Sequence, residues 1–82
     1  MTEQQTIDYL KTIGFSQYLG FPHILVDGTH SLIVDCGQLN FIDDNTGYED
    51  IEDLNMFRTE EEIYNWVHGC LDMVLDLEDE EE

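Results

Sequence analysis

Apolar side chains repeat with helical spacing near the carboxyl end of the sequence, and no other feature constrains the fold as strongly. The repeat comprises Ile63, Trp66, Val67, Cys70, Leu71, Val74 and Leu75. This spacing is typical of an amphipathic helix, and Thr59 with Glu62 fits a capping box at its start. The pattern predicts a long helix that ends near Leu77 and packs one face against a second layer. Gly69 within it predicts a close crossing over that layer.

Three short runs rich in β-branched and aromatic residues predict the second layer. The runs HILVD, SLIVDC and LNFID are separated by Gly28 and Gly37, which favours an antiparallel meander with tight turns. Side chains alternate between two faces along a strand. The face predicted to pack on the helices carries Ile24, Val26, Leu32, Val34, Cys36, Leu39 and Phe41. The other face keeps a stripe of Leu25, Ile33 and Ile42, which is either covered by chain or offered to a partner.

Residues 2–14 predict a short first helix. Thr2 and Gln5 fit a capping box, and Gly14 suits a left-handed C-cap. The apolar residues between them, at helical spacing, are Ile7, Leu10 and Ile13. We expect residues 15–19 to add one more helical turn before Gly20 and Pro22 break it.

Residues 48–57 fit two structures. The spacing of Ile51, Leu54 and Phe57 favours a helical turn, whereas a fourth strand at the sheet edge agrees with the sequence almost equally well. The predicted fold is therefore α+β in two layers: an N-terminal helix, a three-stranded antiparallel sheet with this optional fourth edge strand, and a long C-terminal helix. We expect one domain over residues 1–77, followed by an acidic tail over residues 78–82.

The charge is large and uneven. The chain carries 20 acidic residues against 2 basic ones, a formal net charge of −18, yet it is 41% hydrophobic and so is expected to fold. All but four of the acids lie after Ile42. Such an excess repels nucleic-acid phosphates and anionic membranes, so neither is an expected ligand. It favours fast association with a basic protein.

The sequence contains neither a signal-peptide pattern nor a transmembrane span, so we expect a cytoplasmic location in a bacterial host. Cys36 and Cys70 are interpreted as reduced core residues, with a disulfide as the less favoured alternative.

Acidic residues cluster in the connector and at the start of the last helix. The predicted partner-binding residues are Asp43, Asp44, Glu49, Asp50, Glu52, Asp53, Glu60, Glu61 and Tyr64. Carboxylates about 6–7 Å apart on a rigid scaffold can imitate duplex phosphates and pair with the arginines and lysines of a nucleic-acid groove. The alternative is an ordinary solvated face. Charge of one sign favours mimicry, because such a face would mix lysine with glutamate, and this chain has a single lysine.

Metal and catalytic sites are not indicated. The segment DDNTGYEDIEDL resembles a calcium loop at Asp43 and Asn45, but Gly47 comes one place early and Leu54 replaces the required glutamate. The three histidines lack zinc-ligand spacing. Neither a nucleophile motif nor a phosphate-binding glycine loop is present. The sequence therefore predicts a binding protein without a cofactor.

In size, charge and order of elements over residues 2–77, the chain resembles the small acidic inhibitors that bacteriophages use against host nucleases. It is similar in plan to DNA-mimicking anti-CRISPR proteins that inhibit Cas9. The resemblance implies occupation of the site that reads the short duplex motif beside the target. The implied partner is thus a basic nucleic-acid-binding protein, Cas9 or another nuclease.

Two other functions remain open. An immunity protein or antitoxin that neutralises a basic nuclease toxin is also small and acidic, and it would centre its interface on Tyr64 or on the Leu25, Ile33 and Ile42 stripe. A structural subunit would use that stripe to form a homodimer. A monomer is the expected state.

Overall fold

The computed structural model describes residues 1–79, and these form an α+β domain of two layers. The elements are α1 (Glu3–Thr12), β1 (Ser16–Tyr18), β2 (Phe21–Asp27), β3 (His30–Asp35), β4 (Gln38–Asp43), β5 (Glu49–Asp53), a 3₁₀ turn (Leu54–Met56) and α2 (Glu60–Asp79). The strands form one antiparallel sheet in the order β1-β2-β3-β4-β5. The predicted order of helix, antiparallel sheet and long helix is confirmed, and the sheet has five strands rather than three.

Both helices pack on one face of the sheet. The core consists of Ile7, Leu10, Phe15, Leu25, Leu32, Val34, Leu39, Phe41, Leu54, Phe57, Ile63, Val67, Cys70 and Val74. It includes two apolar residues of α1, four of α2 and alternate residues of β2, β3 and β4. Of the apolar repeat predicted for α2, Trp66 and Leu71 are partly buried and Leu75 is 57% exposed. We call this side of the sheet the covered face and the opposite side the open face.

The face assignment predicted for β2 is wrong by one residue. Leu25 is paired with Leu32, and Leu32 with Phe41, so all three lie on the covered face. Ile24 and Val26 therefore lie on the open face. The HILVD run is apolar at consecutive positions, so alternation could not decide between its faces. The two-residue turn between Asp27 and His30 fixes the register instead.

The first hairpin replaces a predicted helical turn. Residues 16–18 form β1 and pair with β2, and Gly20 takes a φ of 83° in the turn between the two strands. Other residues adopt a positive φ at a cost in free energy, whereas glycine adopts it readily, so Gly20 favours this tight turn. The spacing of Phe15, Tyr18 and Leu19 imitated a helix, but only Phe15 is buried.

Residues 48–57 combine the two structures that the sequence left open. Glu49–Asp53 form the edge strand β5, paired with β4, and Leu54–Met56 then form a 3₁₀ turn. Leu54 and Phe57 are buried in the core, while Ile51 is 50% exposed on the strand. The spacing that suggested a helical turn thus comes partly from the residues after the strand.

The prediction that Cys36 is a core residue is wrong. It lies exposed in the β3–β4 turn at a φ of 53°, followed by Gly37 at 71°, as a two-residue hairpin turn requires. The Gly37 amide donates to Glu3 Oε2 at 2.9 Å, which ties this turn to α1. Cys70 is buried as expected, and both thiols are free.

The long helix is confirmed, with two differences in detail. Thr59 Oγ1 accepts the Glu62 amide at 3.3 Å, as the cap predicted. A Cβ added at Gly69 would meet no atom within 4 Å, so the predicted close crossing is wrong. α2 continues through Asp79, so it includes the first two residues of the predicted tail, and residues 80–82 lie outside the described part. Within residues 1–79, none of the helices is long and apolar enough to cross a membrane.

Candidate partner-binding surface

The structure separates the nine predicted partner-binding residues into different environments. Asp43 is buried, Asp44 lies exposed in the turn after β4, and four carboxylates lie on β5. Glu60, Glu61 and Tyr64 lie in the first turns of α2. The sequence predicted one exposed acidic surface for these residues. Their local surroundings in the structure differ, so they are not equivalent.

Asp43 is fully buried, which corrects the expectation that it is an exposed carboxylate. Its Oδ1 accepts the Thr29 hydroxyl at 2.7 Å, and its Oδ2 accepts the Thr46 amide at 2.8 Å and the Thr46 hydroxyl at 2.6 Å. His30 Nε2 lies 3.6 Å from Oδ1. Burial acts to raise the pKa of Asp43, but the hydrogen bonds from the two threonines outweigh it, so its pKa is lowered.

The role of Asp43 is to hold together two turns. Thr29 belongs to the β2–β3 turn, and Thr46 belongs to the β4–β5 turn, in which Gly47 takes a φ of 78°. An aspartate that accepts the amide three residues later is a common turn device. The segment DDNTG carries this turn signal, and alternation along β4 places residue 43 on the same face as Phe41.

The β5 carboxylates alternate between the two sides of the sheet. Glu49 and Asp53 are paired with Ile42 and Gln38 on the open face, whereas Asp50 and Glu52 are paired with Phe41 and Leu39 on the other side. Alternate residues of a strand lie about 6.7 Å apart. Asp50 and Glu52 therefore have the spacing expected of a phosphate imitation.

Asp50 and Glu52 also protect the edge of the sheet. Asp50 Oδ1 accepts the Ile51 amide at 2.8 Å, and Glu52 Oε1 accepts the Asp53 amide at 3.1 Å. These amides belong to residues outside the hydrogen-bonded pairs with β4, so they point away from the sheet. Carboxylates in this position discourage edge-to-edge pairing with another chain. The edge acids thus have a structural effect that does not require a partner.

Glu60 and Tyr64 lie beside α1 rather than on the strand, and Glu61 is exposed in the first turn of α2. Glu60 lines a depression of about 250 Å³ together with Gln5, Asp8, Tyr9 and Thr12 of α1. Burial and the nearby charge of Glu60 raise the pKa of Tyr9. Tyr64 is 42% exposed and places its ring 4.1 Å from that of His68, measured between centroids. None of the described residues that line this depression belongs to β5, so the acids at the start of α2 and the acids of β5 lie on separate surfaces.

Two adjoining shallow depressions follow β5. The larger, of about 320 Å³, is lined by Asn40, Phe41, Ile42, Glu49, Asp50 and Ile51. The second, of about 220 Å³, is lined by Gln38, Ile51, Glu52 and Asp53. Ile51 lines both, so the two depressions adjoin along the last two strands, and we call the pair the channel along β5. The sequence did not indicate this channel, since it requires β5 to be paired with β4.

A metal site and a reactive thiol each require a particular geometry and environment of side chains. Across residues 1–79, no group of three His, Cys, Asp or Glu side chains has the geometry to hold a metal ion. The buried thiol of Cys70 has its pKa raised to about 12 by burial and then by the charge of Asp50, so it remains protonated at neutral pH.

No family model matches the chain, and neither a curated protein nor a solved structure matches it.

Proposed function

We propose that this protein is an acidic inhibitor that occupies the basic nucleic-acid groove of a nuclease by imitating DNA. The observation that carries the proposal is the exposed acidic edge strand β5, which holds Asp50 and Glu52 at strand spacing on one side of the sheet and Glu49 and Asp53 on the other. An ordered array loses less conformational entropy on binding than a flexible acidic tail would. The expected biological setting is a phage protein that acts against a host defence nuclease, of the anti-CRISPR or anti-restriction kind.

The charge balance supports the same proposal. Lys11 lies in α1 and Arg58 lies before α2, so β5 has no cation within its own strand to neutralise it. Partner arginines would pair with these carboxylates through charge-assisted hydrogen bonds, which weaken as salt screens the charges. In this proposal the protein is a monomer without a cofactor or an enzymatic activity, and it acts in the cytoplasm of the host.

The test is a five-site amide variant compared with an equally charged control. The test variant replaces Asp44, Glu49, Asp50, Glu52 and Asp53, and it spares Asp43 because that residue holds the turns together. The control replaces five other exposed acids with amides: Asp8, Asp27, Asp72, Asp76 and Glu78. Both variants change the net charge equally, so a difference between them reports position rather than total charge.

The assay has two steps. The tagged protein first captures partners from host lysate after nucleic acid has been digested, at about 0.1 M and at about 1 M salt, where the Debye length falls from about 10 Å to about 3 Å. The captured enzyme, or purified Cas9 with its guide RNA, is then assayed for DNA cleavage. We expect the control to inhibit and the test variant to lose inhibition, with binding lost in high salt and displaced by DNA. Full inhibition by the test variant would contradict mimicry through β5.

The second candidate function is an immunity protein or antitoxin that neutralises a basic nuclease toxin. The open aliphatic face favours it, because Ile33 and Ile42 are not covered by either helix. Such an interface would centre on apolar contact and would retain affinity in high salt. Capture that resists both salt and DNA would therefore select this function over mimicry.

A further inference from the structure

The open face of the sheet is unusually apolar for a surface exposed to water. Antiparallel sheets with one solvated face normally alternate apolar residues inward with polar residues outward. Here β2, β3, β4 and β5 all place aliphatic side chains outward. These residues are Ile24, Val26, Ile33, Ile42 and Ile51, and none of them belongs to the core or packs against it.

The strand register brings these side chains into two neighbouring rows. One row crosses the sheet through Ile24, Ile33, Asn40 and Ile51. The next crosses through Val26, Ser31, Ile42 and Glu49. Directly paired and diagonal neighbours in such rows lie within contact distance. Asn40 and Ser31 interrupt these rows, so the aliphatic side chains are neighbours partly through diagonal pairs such as Ile33 with Ile42. They form an aliphatic surface in which Ile51 is half exposed and the other four residues are partly buried.

The charges around this surface are of one sign. On β5 the open face reads Glu49, Ile51, Asp53, and Asp35 lies at the end of β3 on the same face. Lysine and arginine do not occur in β2, β3, β4 or β5. An acidic or neutral occupant would desolvate these carboxylates without a counter-charge, which is costly. A cationic occupant would pair with them.

The geometry along β5 indicates the form of that occupant. Glu49 and Asp53 flank Ile51 on the open face, each about 6.7 Å away along the strand. The two depressions that Ile51 lines follow the same strand. An extended segment also repeats its side chains every second residue. It would place a cation over Glu49, an apolar side chain over Ile51 and a second cation over Asp53.

We propose that the channel along β4 and β5 binds an extended protein segment in which an apolar residue is flanked at two residues on either side by lysine or arginine. This site shares Glu49 and Asp53 with the proposed imitation of phosphates but differs from it in mode, because its centre is an apolar contact at Ile51 and only its rim is ionic. It holds whether or not the target of the protein is a nuclease.

The test is an NMR titration of the ¹⁵N-labelled protein with a synthetic peptide, acetyl-Lys-Thr-Ile-Thr-Lys-amide. Two matched peptides replace either the central isoleucine with serine or both lysines with glutamine. We expect amide shifts concentrated at Asn40, Ile42 and Ile51, and about tenfold weaker binding by each matched peptide. Because the comparison changes the peptide alone, it does not depend on how a protein variant folds.

Protein variants then locate the contact. Ile51→Thr should weaken the isoleucine peptide about tenfold, and Met73→Thr, at an exposed apolar position on α2, should leave its affinity unchanged. Equal binding of the isoleucine and serine peptides, or shifts spread over the acids of α2, would overturn the proposal in favour of unspecific charge attraction. Concentration-dependent shifts at the same residues without peptide, with a matching rise in sedimentation coefficient, would overturn it in favour of a second copy on this face.

Discussion

Leu32 and Ile33 are neighbours on β3 and similar in chemistry, yet they have different surroundings. Leu32 points to the covered face and is fully buried beneath the helices, whereas Ile33 points to the open face, is only partly buried, and has no layer over it within residues 1–79. The same contrast holds between Leu25 and Ile24 on β2. In a two-layer domain, the energetic value of an apolar side chain is decided by the layer above it and not by its residue type.

The largest expected effect comes from removing a side chain of the covered face. Phe41 is fully buried, and Phe41→Ala should lower the free energy of unfolding by about 3–5 kcal/mol. This loss is a large fraction of the total, which is about 4–12 kcal/mol for a domain of this size. Urea denaturation monitored by circular dichroism would measure the loss. A change below about 1 kcal/mol would mean that the two faces do not differ as described.

The buried carboxylate of the covered face gives the next effect. Asp43→Ala should cost about 1–3 kcal/mol, because the two turns lose their shared acceptor and the partly buried Thr46 loses its side-chain and backbone hydrogen bonds. The same urea measurement applies. Asp44→Ala, at the exposed neighbouring position, is the control and should change stability by about 0.5 kcal/mol or less.

Asp43 also makes stability depend on pH in a known direction. Its pKa in the folded protein is lower than the ordinary value of 3.8, owing to its hydrogen bonds. The stability that ionised Asp43 contributes is therefore fully present above pH 3.8. It is lost as the pH falls through the lower pKa of the folded protein. The free energies of unfolding of the wild type and of Asp43→Asn should differ at neutral pH and should converge as the pH falls below 3.8. A constant difference across that range would contradict this role.

A smaller effect of opposite sign is expected within the helical layer. Because a Cβ at Gly69 would contact nothing, Gly69→Ala should raise the free energy of unfolding by about 1 kcal/mol through helix propensity. Thermal and urea denaturation would detect this gain. Destabilisation would show that this position packs against a neighbour after all.

The smallest effect is expected on the open face. Ile51 is half exposed on an edge strand, so Ile51→Thr should change the free energy of unfolding by no more than about 0.5 kcal/mol. Together with a marked loss of peptide binding, this result would separate the two faces into one that stabilises the fold and one that binds. A loss as large as that of Phe41→Ala would remove the distinction.

The sequence predicted those elements whose signals agree with one another. The start of α2 carries both a capping threonine and an apolar repeat, and Thr2 with Gln5 gives α1 a complete capping box. Agreement between capping and periodicity leaves few alternatives. The two helices were therefore predicted with nearly correct bounds.

Prediction from the sequence was wrong or incomplete where two different structures agree with the same local pattern. The β2 strand is apolar at consecutive positions, so its face was decided by a turn and by long-range pairing. The burial of Asp43 depends on Thr29, which lies on a different turn. The channel along β5 likewise exists only once two strands are paired. Each of these features depends on contacts between segments that are distant in sequence.

The position of the two cysteines has a practical consequence. Cys36 is exposed in the β3–β4 turn, whereas the Cys70 thiol is buried with its pKa raised to about 12. A maleimide reagent at neutral pH should therefore label the native protein once, at the end of the sheet where Asp53 is paired with Gln38. The chain thus carries a natural attachment point for a fluorophore or spin label, and its unlabelled stocks require a reductant to prevent covalent dimers through Cys36.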